Sequence, residues 1–215
     1  TILSTRGGSG NTKYFGSISD KQESGIMLRT GARRTSGRIN LDQTIGENFN
    51  LSGGVGVTRN FLQRGVSNNN NAGISPTYDL GYIPHVINFQ RNPDGSYPVN
   101  PFYAGGTSVS NPFANAEYIK NNEEVWRQTG NVRAAWQALS TAEHNVNISF
   151  LGGLDRFQQE GLAYSPNFLQ FEPNDGQAGT SATSTSQVFQ MNQSLNVIWT
   201  YTPATWWIGN LTTSF

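Results

Sequence analysis

Few side chains in this sequence are of a type that does chemistry by itself, and their spacing is poor. His85 and His144 stand far apart, and with no cysteine in the chain neither has a neighbour spaced to complete a metal site. Both read as incidental surface residues, and no metal or cofactor is expected. A Ser-His-carboxylate relay can be drawn in so many ways among the serines that a match carries no weight before geometry is known. Asp155 and Glu160 invite comparison with a glycosidase pair, yet they lie across a strand end and the loop after it. The bends at 92–96 and 172–176 hold the oxygen groups calcium prefers, and read more simply as turns. No catalytic residue is assigned.

What remains is a set of fixed cations and neutral amides: Arg34, Arg38, Arg127 and Arg133 with Asn131, Gln137, Asn145, Asn147 and Asp155. Such groups suit hydrated ligands or a packed protein surface. They fall at alternating positions, which is the period of a strand. In the run from Trp126, the positions Trp126, Val132, Ala134 and Trp136 oppose Arg127, Asn131, Arg133 and Gln137. In the next, Val146, Ile148, Phe150 and Leu154 oppose Asn145, Asn147, Ser149 and Asp155, with Leu151 out of step. A third run carries Phe189, Met191, Leu195, Val197, Trp199 and Tyr201 on one side, followed by Trp207, Leu211 and Phe215. Earlier, Phe49, Leu51, Val55 and Val57 alternate with polar residues, and Tyr14, Ile18, Ile39 and Leu41 do so more weakly.

Composition agrees with strands. The 215 residues include 24 Gly, an equal number of Asn, and 25 aromatic residues, while charged residues make up 13% against the usual quarter. This is too aromatic for a disordered chain and poor material for helices. Fourteen basic residues balance fourteen acidic ones, so no surplus charge exists to bind nucleic acid. No apolar run is long enough for a transmembrane helix.

Length and loops separate a soluble sandwich from a membrane barrel. The alternation persists over about 10–14 residues, beyond the usual 5–6 of soluble strands. Trp126 and Trp136 are ten residues apart on one face, as are Phe189 and Trp199. Ten residues of tilted strand rise roughly 25 Å, the height of the apolar band between two aromatic girdles. Trp126, Trp136, Phe189, Trp199, Tyr201 and Trp207 are therefore expected at membrane interfaces. Short turns at 8–11, 42–48, 140–143 and 202–205 alternate with longer connections after Asp20, at 61–124 and at 159–186, as periplasmic turns and extracellular loops do. The 61–124 segment is expected to be an ordered functional loop. Its Tyr78, Tyr82, Tyr97, Phe102, Tyr103 and Phe113 suit stacking on sugars or packing against a neighbour or lid.

The expected fold is all-β: about eight antiparallel strands forming a section of a large transmembrane β-barrel with long extracellular loops, over residues 1–215. With short turns in the periplasm, both chain ends would lie outside the cell, unlike those of a complete even-stranded barrel. No Met and no signal-peptide pattern opens the sequence, so a consecutive section of a longer protein is expected.

In matching order from Gly7 to Asp155, the chain resembles SusC/RagA-like TonB-dependent transporters. The likeness rests on Gly7-Gly8, Thr12 to Ser17, Asp20 to Ile26, Arg38 to Asp42 and Asn48 to Val55, then on Asn92 to Tyr97, Ser110 to Phe113 and Arg127 to Asn131. The resemblance implies an outer-membrane importer of oligosaccharides or peptides, embedded in outer-membrane lipid. It further implies energy from TonB through an N-terminal plug and a SusD-like surface lipoprotein as lid. The plug and the remaining strands are absent from these residues. The lumenal arginines and amides would then contact plug or substrate. Homo-oligomerisation stays open, and the rival readings are a passive or structural outer-membrane barrel and a secreted soluble β-protein that binds glycans.

Overall fold

The computed structural model describes residues 1–66, 74–104, 109–177, 179–202 and 211–214. Eight strands pair antiparallel in sequence order in one sheet. They are β1 (Ile2–Ser9), β2 (Thr12–Ser24), β3 (Gly31–Ile45), β4 (Phe49–Gln63), β5 (Lys120–Ser140), β6 (His144–Ser165), β7 (Thr180–Tyr201) and β8 (Leu211–Ser214). The sheet is a simple meander with both edge strands unpaired among the described residues. Two short helices, α1 (Pro76–Tyr82) and α2 (Pro112–Tyr118), lie in the connection between β4 and β5.

Tight turns close one end. Ser9 pairs with Thr12 around Gly10, whose φ of 51° is one that a side chain disfavours. Ile45 pairs with Phe49 around Gly46 at φ 64°. At Thr141, the Thr141 N–H donates to His144 O over 2.8 Å and the His144 N–H returns to Thr141 Oγ1 over 2.9 Å. Of the 202–205 turn only Thr202 is described, its N–H donating to Glu143 O over 2.8 Å, and Trp207 lies outside the described residues. A register shift between Gln137 and Leu139 marks a bulge just above the Thr141 turn.

At the other end the strands run further than alternation suggests. β4 continues to Gln63 and β5 starts at Lys120, so the long connection is 64–119; β6 continues to Ser165 and β7 starts at Thr180, leaving 166–179. The strand after Asp20 likewise extends to Ser24, and β3 extends through residues 42–45. In these extensions the two faces no longer differ, with Phe61 and Leu62 apolar on opposite faces and Thr183 to Gln187 polar on both, so hydrophobic period is lost. The ladder continues because backbone hydrogen bonds do not need apolar side chains. β6 and β7 reach 22 residues each.

Register decides the faces. Ile39, Val55, Gly130, Leu154 and Met191 are successive partners across five strands, and Phe49, Trp136, Ile148 and Val197 across four. All share one apolar face. No described element covers it: Leu195 is 63% exposed, Ile39 62% and Val132 38%. The buried apolar residues lie elsewhere, chiefly Phe89, Val109, Ala114 and Leu169 in the long connections. Among the described residues the core is thus a loop cap, and no second layer covers the sheet.

Candidate functional site

The face opposite the apolar one gathers the residues singled out from sequence. Asn40, Gly54, Asn131, Gly153 and Asn192 are successive partners, forming an asparagine row interrupted by glycines. The glycines make room for the amides. A Cβ at Gly54 would collide with Asn40 Oδ1, and one at Gly153 with Asn192 Oδ1. Beside this row run Arg38, Gly56, Thr129, Asp155 and Gln190, and on its other side Asp42, Ser52, Arg133, Leu151 and Ser194. Arg34 and Arg127 fall on the same face higher up, and Gln137, Asn145 and Asn147 on it near the tight turns. All nine predicted residues therefore share one surface.

Charge on this surface is unevenly satisfied. Arg127 Nε donates to both carboxylate oxygens of Asp155 over 3.0 and 3.1 Å, a forked pair between neighbouring strands. Arg38 donates to Asn40 Oδ1 over 3.0 Å. Among the described residues no carboxylate pairs with Arg34, Arg38 or Arg133. A groove of about 450 Å³ runs between Arg34, Arg38, Asn40, Thr58, Arg127 and Asn131. It offers cations and amides to an anionic or hydrated surface. Glu160 projects from the apolar face, so the sheet itself separates it from Asp155 and removes the glycosidase geometry.

The apolar face carries the aromatic residues at its margins. Trp126 and Phe189 stand toward the long connections, and Trp136, Trp199 and Tyr201 toward the tight turns. Trp126 is held by a cluster: its Nε1 donates to Glu124 Oε1 over 2.8 Å, Arg59 Nε donates to the same oxygen over 2.7 Å, and the Arg59 guanidinium lies 5.6 Å from the indole centre. At the other margin His144 stacks 4.8 Å from Tyr201 and accepts the Trp199 Nε1–H at Nδ1 over 3.2 Å. His144 is thus part of an aromatic cluster and no isolated surface residue. Its place as the first residue of β6, in register with Tyr201, is what alternation could have shown.

The margins also measure the tilt. Trp136 is in register with Val197 and Trp126 with Gln187, so on β7 both aromatic partners, Trp199 and Phe189, sit two residues closer to the tight turns. Two residues are about 6.6 Å along a strand, and two strands are about 9.6 Å across, which inclines both margins by about 35° to the ladder. The two margins are parallel, and the angle is that of strands in a membrane-type barrel.

Above the sheet the loops form one cap. Asn111 caps α2, accepting from Phe113 N and Ala114 N, and its Nδ2 donates to Phe89 O over 3.0 Å and Pro98 O over 2.7 Å. Gln170 clamps the backbone of Asn100, accepting its N–H over 2.9 Å and donating to its carbonyl over 2.8 Å, which ties 166–179 to 64–119. Arg29 pairs with Glu117, binding 25–30 to α2 and holding the Glu117 carboxyl below the usual carboxylate range. Of the loop aromatics, Tyr78 and Tyr82 stack at 4.6 Å, Tyr97 meets Tyr118 edge-on, Phe113 is half-buried in α2, Tyr103 N donates to Asn100 O over 3.1 Å, and Phe102 is exposed. His85 is exposed. The 92–96 bend is closed by its own bonds, Asp94 Oδ1 accepting from Ser96 N over 2.9 Å and from Ser96 Oγ over 2.7 Å. In the 172–176 bend a short 3-10 helix spans Glu172–Asp175. Asn111→Ala should cost the cap about 2 kcal/mol, since a cap and two buried carbonyl partners are lost together. Hydrogen exchange over 76–118 should then quicken while β5 to β7 stay protected.

The sheet and its register define a section of a large β-barrel. No family model and no curated protein matches the sequence. Among solved structures, the chain resembles one described as the RagAB peptide importer in its closed-closed state, with a TM-score of 0.63 and 18% identity over 99% of this chain. The chain spans 23% of the length of that one.

Proposed function

We propose that this chain is part of the barrel of an outer-membrane, TonB-dependent importer of the SusC/RagA kind, taking up oligosaccharides or peptides. The observation that carries the reading is the pairing of two faces. One is apolar, uncovered and edged by parallel aromatic margins tilted about 35° to the ladder, the geometry of lipid contact. The other is polar, with Arg34, Arg38 and Arg133 uncompensated among the described residues, and suits a water-filled interior or a docked plug. The likeness to the RagAB importer supports the same barrel. In this reading the 64–119 and 166–179 connections face the cell exterior, beneath a SusD-like lipoprotein, and energy arrives through a plug that contacts TonB.

Brominated lipids test the membrane placement. In single-tryptophan variants of the protein in vesicles, Trp126, Trp136 and Trp199 should each be quenched more by bromines near the headgroups than by bromines at the bilayer centre. Absence of quenching from either depth would remove the lipid-facing assignment. Coupling needs a second measurement: loss of uptake in cells lacking TonB separates an energised importer from a passive barrel of the same fold.

A further inference from the structure

Arg156 is an unexpected residue on the apolar face. It pairs in register with Gln128 on β5 and Phe189 on β7, so its side chain leaves the sheet on the side of Leu154 and Met191, away from Asp155. The aromatic margin nearer the long connections, drawn from Trp126 to Phe189, crosses β6 between Arg156 and Gln158. Arg156 therefore stands at headgroup depth. Arg59 on the same margin is neutralised by Glu124, but exposed Arg156 makes no ion pair or hydrogen bond among the described residues. Gln128 beside it and Gln187, diagonal to it on β7, are also exposed amides without a partner among the described residues. Register partners stand about 5 Å apart and diagonal ones about 7–8 Å, so the three side chains can reach one group. Glu160 lies four residues further along β6 toward the long connections and accepts from Gln158 Nε2 over 3.3 Å.

Below this cation the same face is hollow. A depression of about 290 Å³ lies around Gly130 and Gly152, with Val55, Val132, Leu154 and Met191 in its wall. Gly130 pairs with Val55 and Leu154, and Gly152 with Val132, so two side chains are missing from the middle of the apolar face. Gly152 is four residues from Arg156, about 13 Å along the strand toward the bilayer centre. Cation and hollow thus lie in line, as the headgroup and acyl chain of one lipid do. A guanidinium forks onto a phosphate, and amides both donate to and accept from sugar hydroxyls.

We propose that this face holds one phosphorylated glycolipid of the lipid A class, its phosphate on Arg156, its sugar hydroxyls on Gln128 and Gln187, and one acyl chain in the hollow around Gly130 and Gly152. The proposal rests on the importer reading, in which the long connections mark the outer leaflet. Native mass spectrometry of the full-length protein in detergent tests it, with lipid A, dephosphorylated lipid A and phosphatidylglycerol as probes. One lipid A should remain bound, at least fivefold more tightly than either of the others. Arg156→Gln should weaken lipid A about fivefold to tenfold and leave the dephosphorylated form unchanged; Arg156→Lys, which keeps the charge without the fork, should restore part of the loss. Val55 is 58% exposed, so Val55→Trp should leave the sheet intact, cover the hollow and weaken both forms of lipid A alike. Arg6→Gln removes a charge from the polar face and should change nothing. Equal affinity for the three probes, indifference to Arg156→Gln or to Val55→Trp, or a dimer of the chain that excludes lipid A from this face would overturn the site. Failure of the importer reading shows separately, as a lack of quenching of Trp126 and Trp136 by brominated lipids; with that quenching intact, loss of the phosphate preference removes the site alone.

Discussion

Leu195→Arg should destabilise the protein in a bilayer by roughly 2–4 kcal/mol, the cost of an arginine near the midplane of the lipid face of a barrel. On β7 Leu195 lies between the aromatic margins, about midway from Phe189 to Trp199, and is 63% exposed, with no covering layer among the described residues. Its chain neighbour Asn196 points to the other face and pairs with Ser149. Asn196→Arg should therefore cost less than about 1 kcal/mol, because a side chain on the water-filled side keeps its hydration. Urea titrations of folding into short-chain phosphatidylcholine vesicles compare the two directly. A shift of one residue in register exchanges the faces, so an inverted order, with Asn196→Arg the worse, would refute the assignment of sides.

A smaller effect is expected on the polar face. Arg127→Ala frees the Asp155 carboxylate on an exposed surface, so the urea midpoint should barely move in the same titration. A larger loss would show that the forked pair braces the sheet and is more than a local contact between β5 and β6.

The parity of the sheet was readable because hydrophobic alternation and register are the same information. Once Val132, Phe150 and Leu195 are taken as one face, the positions of Arg133, Asn147 and Asp155 follow without side-chain detail. The upper strands were not readable, since Gln158, Thr183 and Gln187 give no contrast between faces, and only the continuous backbone ladder defines them. His144 was missed because a single histidine beside a turn carries no pattern until its register with Tyr201 is known. The cap was expected as an ordered loop from its aromatic content, but its construction depends on polar residues. Asn100, Asn111, Asn115 and Gln170 hold it by bonding to carbonyls and amides far off in sequence, and an asparagine in a loop looks the same whether it is buried or wet. Ser75, just before α1, and Asp79 on α1 belong to the same buried set.

Asp79 makes this cap sensitive to pH. The residue is fully buried on α1, its Oδ2 accepts from Asn115 Nδ2 over 3.3 Å, and its Oδ1 has no partner among the described residues. Among the described residues no cation offsets the burial, which pushes its carboxyl up to about 7 against the opposing pull of Asn115. The folded cap therefore holds a proton that the unfolded segment releases near pH 4. Cap stability is then fullest below that value, declines as the pH rises toward about 7, and is flat above it. A shift of about three units at about 1.4 kcal/mol each places the total loss at no more than about 4 kcal/mol, less wherever water reaches the carboxylate. Limited proteolysis should cut within 64–119 several-fold faster at pH 8 than at pH 5, while the paired strands resist at both. Asp79→Asn keeps the shape and removes the ionisation, so it should abolish the difference. A native cap equally resistant at both values would mean that the carboxylate is solvated where it stands, and α1 would then be packed more loosely against α2 than Asn115 and Ser110 indicate.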